Sequence, residues 1–165
     1  MNKNGIIEII QLINFQTREQ YRAIMILGPA DCGKTRYAKL LAQKIKAKYF
    51  DMLEIFVDDE DLSKSIDTFD VSRFKEYLLN LVVNEAVIII DNMDFLLNTW
   101  SEREKSEFFN LVEKLRSNET KKAFCFFVQE EDIFNSKPIL NSRNENRIIH
   151  FSQIASIKEI IYDED

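Results

Sequence analysis

Residues 28–35 read Gly28-Pro29-Ala30-Asp31-Cys32-Gly33-Lys34-Thr35, two glycines bracketing four residues, then a lysine and a hydroxyl. This spacing is that of a loop wrapped around a nucleotide's phosphates. Glycine allows the tight turns that bring backbone N–H groups up to an anion. Lys34 would reach the β- and γ-phosphates, and the Thr35 hydroxyl would ligate Mg²⁺. Arg36 completes the candidate contact set. The chain holds only 3 glycines in 165 residues. At average glycine usage a random chain of this length would show the pattern roughly once in a hundred cases.

A second constellation is Val87-Ile88-Ile89-Ile90-Asp91, an apolar run that ends in a carboxylate. Such a strand places its acid at the carboxyl edge of a sheet. There Asp91 would hold the Mg²⁺ water shell opposite Thr35, as a Walker B element does.

The elements that must position these residues are legible in outline. Arg22 to Leu27 is a short apolar stretch that reads as a buried parallel strand. After the loop, Tyr37, Leu40, Leu41 and Ile45 recur at helical spacing. That helix's N-terminus adds its dipole to phosphate binding. Ile6, Ile9, Ile10 and Ile13 predict an amphipathic helix over residues 1–20. Leu53 to Val57 alternates as a second strand ending in the acidic run Asp58 to Asp61. Phe74, Leu78, Leu81 and Val82 predict a helix with Asp70 or Ser72 as its N-cap. The third strand is Ala86 to Ile90, ending at Asp91. Ser101 and Glu104 make a capping box ahead of Phe108, Leu111, Val112 and Leu115. Ala123 to Val128 and Arg147 to Phe151 are the fourth and fifth strands. Strands alternating with helices predict a mostly parallel five-stranded sheet between helical layers, an α/β fold with ligands at the strands' carboxyl ends.

Composition sets bounds. Hydrophobic residues make up 45% and charged residues 30%, as in an ordinary folded domain. We read one domain, with a core over residues 21–155 and an acidic tail over 156–165. The net charge of −6 argues against a bulk polyanion as main partner, so nucleic-acid contact is not indicated. Lys39, Lys44, Lys46 and Lys48 read as a solvated helix face, with a nucleic-acid or partner contact as the alternative. Cys32 lies in the loop and Cys125 in a strand, poor places for a structural bridge. No Cys/His cluster resembles a zinc site. The apolar runs are too short to span a bilayer, and the N-terminus lacks a signal layout. The expectation is a reducing, cytoplasmic setting with no membrane.

With these motifs in place, the chain resembles the additional-strand P-loop ATPases, and among them the AAA-plus group. The resemblance spans roughly residues 20–155. It rests on Gly28 to Thr35, on Ile88-Ile89-Ile90-Asp91-Asn92-Met93-Asp94, and on a polar residue ending the next strand. It implies a three-layer P-loop NTPase fold that binds ATP and Mg²⁺. The family places a glutamate after the Walker B aspartate to polarise the attacking water. This chain has Asn92 there, and an amide orients a water but accepts no proton from it. Asp94 is a substitute candidate, although the family uses its counterpart mainly for structure. Gln129 falls where the family keeps its γ-phosphate sensor, or else is an exposed strand end. The resemblance makes Arg143, and second Arg147, candidates for an arginine finger aimed at a neighbouring subunit; alternatively both are surface arginines. His150 is expected to be a satisfied core histidine. The chain ends soon after the fifth strand, so the family's C-terminal helical lid is expected to be missing, lowering affinity unless a partner covers the site. At a finer level, the Asp91-Asn92 pair, the compact core and the length look like the small P-loop protein of type-three bacteriophage exclusion (BREX) systems. That likeness implies an antiphage complex with methyltransferase and larger ATPase partners.

The expected function is a weakly hydrolytic, ATP–Mg-binding subunit that acts as a switch, in a homo-oligomer or a larger complex. A small-molecule kinase is the alternative, with Phe56-Val57-Asp58-Asp59 near an acceptor hydroxyl. A non-hydrolysing scaffold is another, opposed by the intact Lys34, Thr35 and Asp91. No Asp-x-x-Gly or Asn-Lys-x-Asp sits where a GTPase needs one. Phe95, Leu96, Leu97 and Trp100 read as core, or otherwise as a partner surface beside the nucleotide.

Overall fold

The computed structural model describes residues 8–154. Ile6 and the expected acidic tail lie outside the described residues. In chain order the elements are α1 (Ile9–Gln16), β1 (Ala23–Gly28), α2 (Lys34–Ile45), β2 (Lys48–Asp51), α3 (Met52–Asp58), α4 (Glu60–Lys64), α5 (Val71–Leu79), β3 (Val87–Asp91), α6 (Asp94–Thr99), α7 (Glu102–Lys114), β4 (Ala123–Gln129) and β5 (Ile148–His150). The five strands form one sheet in the order β2-β3-β4-β1-β5. Every neighbouring pair is parallel. β4 therefore lies between the strand that feeds the loop and the strand that carries Asp91.

The apolar strands are buried on both faces, and the two-residue period decides which layer each side chain joins. Met25, Leu27, Ile88, Ile90, Phe124 and Phe126 pack with α3, α5, α6 and α7. Ile24, Ile26, Ile89, Cys125 and Phe127 pack with α1 and α2. The fold is thus the expected three-layer α/β arrangement, and its sheet is parallel throughout. The larger layer is rich in aromatics: Phe108 meets Phe126 edge-on at 5.4 Å, and Phe74 lies 5.8 Å from Trp100. Trp100 Nε1 donates to the Phe69 carbonyl at 2.8 Å. Leu96, Leu97 and Trp100 are core, as expected, and Phe95 is half-buried against the same cluster.

Local signals explain the helix starts. Ser101 and Glu104 form both arms of the capping box of α7. Asp70, not Ser72, caps α5 by accepting from the Arg73 N–H. α5 ends at Leu79, short of the predicted Leu81 and Val82, and Val82 is exposed. Lys39, Lys44, Lys46 and Lys48 are exposed, as a solvated face requires. Cys32 and Cys125 are free thiols. Among the described residues, no helix is long and apolar enough to cross a membrane.

The second strand is not where the alternation placed it. Leu53 to Val57 lies in helix α3, and the strand is Lys48–Asp51. The Asp51 side chain caps α3 by accepting from the Glu54 N–H. Met52 and Phe56, four apart, are the buried residues, while Leu53 is 48% and Val57 70% exposed. The helical pair wins the core, Ile55 packs half-buried against it, and Leu53 and Val57 face water. Asp59 then caps α4, so the acidic run starts a helix and does not end a strand.

Candidate functional site

β1 runs into Gly28, and α2 starts at Lys34. Between them, Asp31 (φ 57°) and Gly33 (φ 92°) adopt left-handed conformations. Left-handed residues alternating with right-handed ones turn successive N–H groups inward, which makes an anion-binding hollow. Gly33 has the freedom this requires. At Gly28 the constraint is space. A Cβ there would stand 3.0 Å from Cys32 Sγ and 3.1 Å from both Lys34 Cδ and Phe151 Cβ. Lys34 is only 9% exposed. Its Nζ curls back over the loop and donates to the carbonyls of Gly28 at 3.0 Å and Pro29 at 2.7 Å.

The ends of β3 and β4 form the opposite wall. Asp91 is 2% exposed, and its Oδ2 accepts from the Tyr49 hydroxyl at 2.7 Å. Burial, then the bond to the Asp91 carboxylate, raises the Tyr49 pKa well above the ordinary phenol value. Asn92 is left-handed, φ 54°. Its Oδ1 accepts from Thr35 Oγ1 at 3.3 Å, and its Nδ2 donates to Asp51 Oδ2 at 2.8 Å. Asp94 Oδ1 accepts from the Gln129 N–H at 2.8 Å, tying the start of α6 to the end of β4. Burial raises the Asp94 pKa, against the lowering effects of that N–H and of Lys34. Gln129 is the register partner of Gly28, so this exposed strand end stands beside the root of the loop.

Residues 30–36 with Asp91, Asn92 and Asp94 line one cleft of about 430 Å³. The cleft joins a cationic side chain, a ring of loop N–H groups, a hydroxyl and a buried carboxylate. This set suits a polyphosphate with a hard divalent cation. Mg²⁺ keeps several waters and takes one or two protein oxygens beside phosphate. Thr35 and Asp91 fit that role, and they approach one another through Asn92.

The arginines separate. Arg147 is not a surface group: it is 1% exposed and donates to the carbonyls of Ala23, Val112 and Glu113. Its position ties β1 to the end of α7 and takes it out of the finger candidates. Arg143 is exposed, in the turn before β5. In a parallel sheet that turn lies at the strands' amino ends, away from the chain's own loop at their carboxyl ends. The Arg143 guanidinium stacks over Phe15 at 3.8 Å, and the Ser142 N–H donates to Glu19. His150 is not a core residue either. Its side chain is 38% exposed, and Nδ1 lies 3.0 Å from Glu130 Oε1. β5 is an edge strand, so the residue after Ile149 turns toward solvent.

Two residues of this site escaped the sequence reading, Tyr49 and Asp51. Both come from β2, whose true position no alternation marked. The sequence model of the ATPase family associated with various cellular activities (AAA) matches residues 24–151. No curated protein matches the chain.

Proposed function

The chain belongs to the ATPase family associated with various cellular activities, and from that premise we propose an ATP–Mg-binding, weakly hydrolytic subunit that works as a nucleotide-dependent switch. The observation that carries the reading is one cleft shared by the Lys34 loop, the Thr35 hydroxyl and the buried Asp91 carboxylate. When bound, Mg²⁺ would neutralise phosphate charge there. This chain's own groups do the rest: the loop N–H groups and Lys34 hold the phosphates, and Thr35 and Asp91 supply the metal's protein oxygens.

Slow hydrolysis follows from Asn92. Its amide accepts no proton from water. Its left-handed backbone suits Asn and disfavours the longer Glu. Asp94 is a poor substitute because one of its oxygens is committed to the Gln129 N–H. For the kinase alternative, Phe56 to Asp58 lie in helix α3 and Asp59 caps the next helix, so these residues do not stand at a strand end. A switch in an oligomer or larger complex is the setting we favour, and the BREX-like features of the sequence suggest an antiphage one.

Titration with ATP, with Mg²⁺ and with EDTA, together with phosphate release, tests this reading. Wild type is expected to bind ATP more tightly with Mg²⁺ and to turn over below about 1 s⁻¹, under the ordinary enzyme range. Absence of binding at millimolar ATP would leave only the scaffold. Asp91→Asn keeps an acceptor for Tyr49 but removes the charge. It should bind ATP yet lose most of the Mg²⁺ enhancement, about tenfold. An undiminished enhancement would remove Asp91 from the metal site.

Arg143 supports a further arm. If this exposed guanidinium, on a pinned turn remote from its own loop, acts on a nucleotide, that nucleotide is another subunit's. ATP–Mg²⁺ is expected to promote a homo-oligomer, and Arg143→Ala to lower turnover with ATP binding intact. Mixing Arg143→Ala with Lys34→Ala subunits should recover turnover that neither shows alone. A chain that stays monomeric at saturating ATP–Mg²⁺, at concentrations up to about the micromolar range, would refute this arm.

A further inference from the structure

We propose that Asp31 is a specificity-determining residue: its carboxylate makes the phosphate cleft accept the metal complex of a nucleoside triphosphate and turn away the metal-free form. The inference rests on the ATP reading above and deepens it. Two loop positions are left-handed, Gly33 at φ 92° and Asp31 at φ 57°. Glycine takes that conformation freely. A residue with a Cβ crowds the following carbonyl oxygen there, a cost that Asp and Asn offset by a local hydrogen bond. The Asp31 carboxylate makes no such bond. It is exposed, and among the described residues it has neither a hydrogen-bond nor an ion-pair partner. Loop geometry alone therefore does not account for an acid at this position.

The cleft that Asp31 lines holds three carboxylates, Asp31, Asp91 and Asp94, against two cations, Lys34 and Arg36. Two of the acids have other work. Asp91 is the metal's acid in the reading above, and Asp94 accepts from the Gln129 N–H. Asp31 is left over, in the same loop as Lys34 and the N–H groups that would hold phosphate. A carboxylate placed there repels a polyanion, and the repulsion grows with the charge on the ligand. Mg²⁺ cancels about half of the triphosphate's charge. The penalty therefore falls hardest on metal-free ATP and less on Mg–ATP. Asp31 and Asp91 reach one preference by opposite routes: Asp91 attracts the metal, and Asp31 penalises its absence.

Asp31→Asn removes the charge, keeps nearly the same shape and accepts the left-handed conformation as readily. Wild type and variant are titrated calorimetrically with ATP plus Mg²⁺, with ATP plus EDTA, and with inorganic tripolyphosphate plus EDTA. A thermal melt without nucleotide runs beside them. The variant is expected to bind metal-free ATP and tripolyphosphate about tenfold more tightly, and Mg–ATP about threefold more tightly. The Mg²⁺ enhancement thus shrinks because metal-free binding rises, whereas in Asp91→Asn it shrinks because metal-bound binding falls. At about 1 M salt, where charges are screened beyond about 3 Å, the gains should drop to within about twofold. The melting temperature should stay within about 2 °C of wild type. Asp31→Gly removes the same charge and frees the backbone, and it should match Asp31→Asn in affinity.

Equal gains for metal-free and Mg-bound ATP, gains that survive high salt, or tightening in Asp31→Gly alone would overturn the proposal, because charge would not be the cause. Unchanged affinities with a lowered melting temperature would overturn it too, and would make Asp31 a partner of the α2 dipole. Weaker binding in Asp31→Asn would mean that the carboxylate bonds the nucleotide, the reverse of what is proposed. Failure of both proteins to bind ATP under every condition would bring down the ATP reading and the proposal with it. Binding without the difference between metal-free and Mg-bound ATP would sink the proposal alone.

Discussion

Lys34→Ala is expected to weaken Mg–ATP binding by about a hundredfold or more while the nucleotide-free protein melts within a few degrees of wild type. The Lys34 ammonium spans the loop and bonds two of its carbonyls, Gly28 and Pro29. Phosphate oxygens are stronger acceptors than these neutral carbonyls. Bonds that involve a charged group contribute about 1.5–3 kcal/mol each. Two such bonds to phosphate give about 3–6 kcal/mol, a factor of a hundred or more. Stability should respond less: Pro29 is exposed, so water can take up its carbonyl, and only the buried Gly28 carbonyl, about 1–3 kcal/mol, is left unsatisfied. Titration calorimetry beside a thermal melt reads both quantities. Wild-type affinity in the variant would sink the phosphate-loop assignment, and a collapsed melting temperature would mean that Lys34 is mainly structural.

What was legible in the sequence depended on whether the signal was local. The loop is a contiguous motif, and β1, β3 and β4 are apolar on both faces because helices cover both. The capping box of α7 is written in two residues, Ser101 and Glu104. β2 carries no such mark. It is an edge strand of four residues, Lys48 to Asp51, half charged and paired on one side only. The alternating Leu53-Ile55-Val57 that follows imitated a strand, but Met52 and Phe56 take the core in a helix. Tyr49 and Asp51 were lost with that strand, since their role comes from register with β3 and not from any neighbour in sequence. The left-handed turn at Asn92 is equally invisible locally, though Asn is among the few residues that accept it.

The two arginines show the same limit, and Arg147→Ala is the test with the largest expected effect on folding. Arg143 and Arg147 look alike in an Asn-rich stretch. What separates them is that the Arg147 backbone already belongs to the sheet: its carbonyl accepts from the Met25 N–H at 2.8 Å. The side chain is thereby directed inward. Nη1 donates to the carbonyls of Ala23 at 3.0 Å and Val112 at 3.1 Å, and Nη2 to that of Glu113 at 2.9 Å. Val112 and Glu113 lie in the last turn of α7, whose carbonyls have no partner within the helix and whose dipole favours a cation. Burial pulls the Arg147 pKa down to about 10, which leaves it charged at neutral pH. Removing the fork strands the buried Ala23 and Val112 carbonyls and the part-buried Glu113 carbonyl, and opens a void. Unsatisfied buried groups cost about 1–3 kcal/mol each, so a total near 3–5 kcal/mol is expected. For a domain of this size that lowers the melting temperature by about 10 °C. Arg147→Lys should recover only part, because an ammonium cannot fork across two elements. Arg143→Ala should leave the melting temperature alone. An Arg147→Ala protein that melts like wild type but loses turnover would reverse the assignment, making Arg147 the finger and the buried fork incidental.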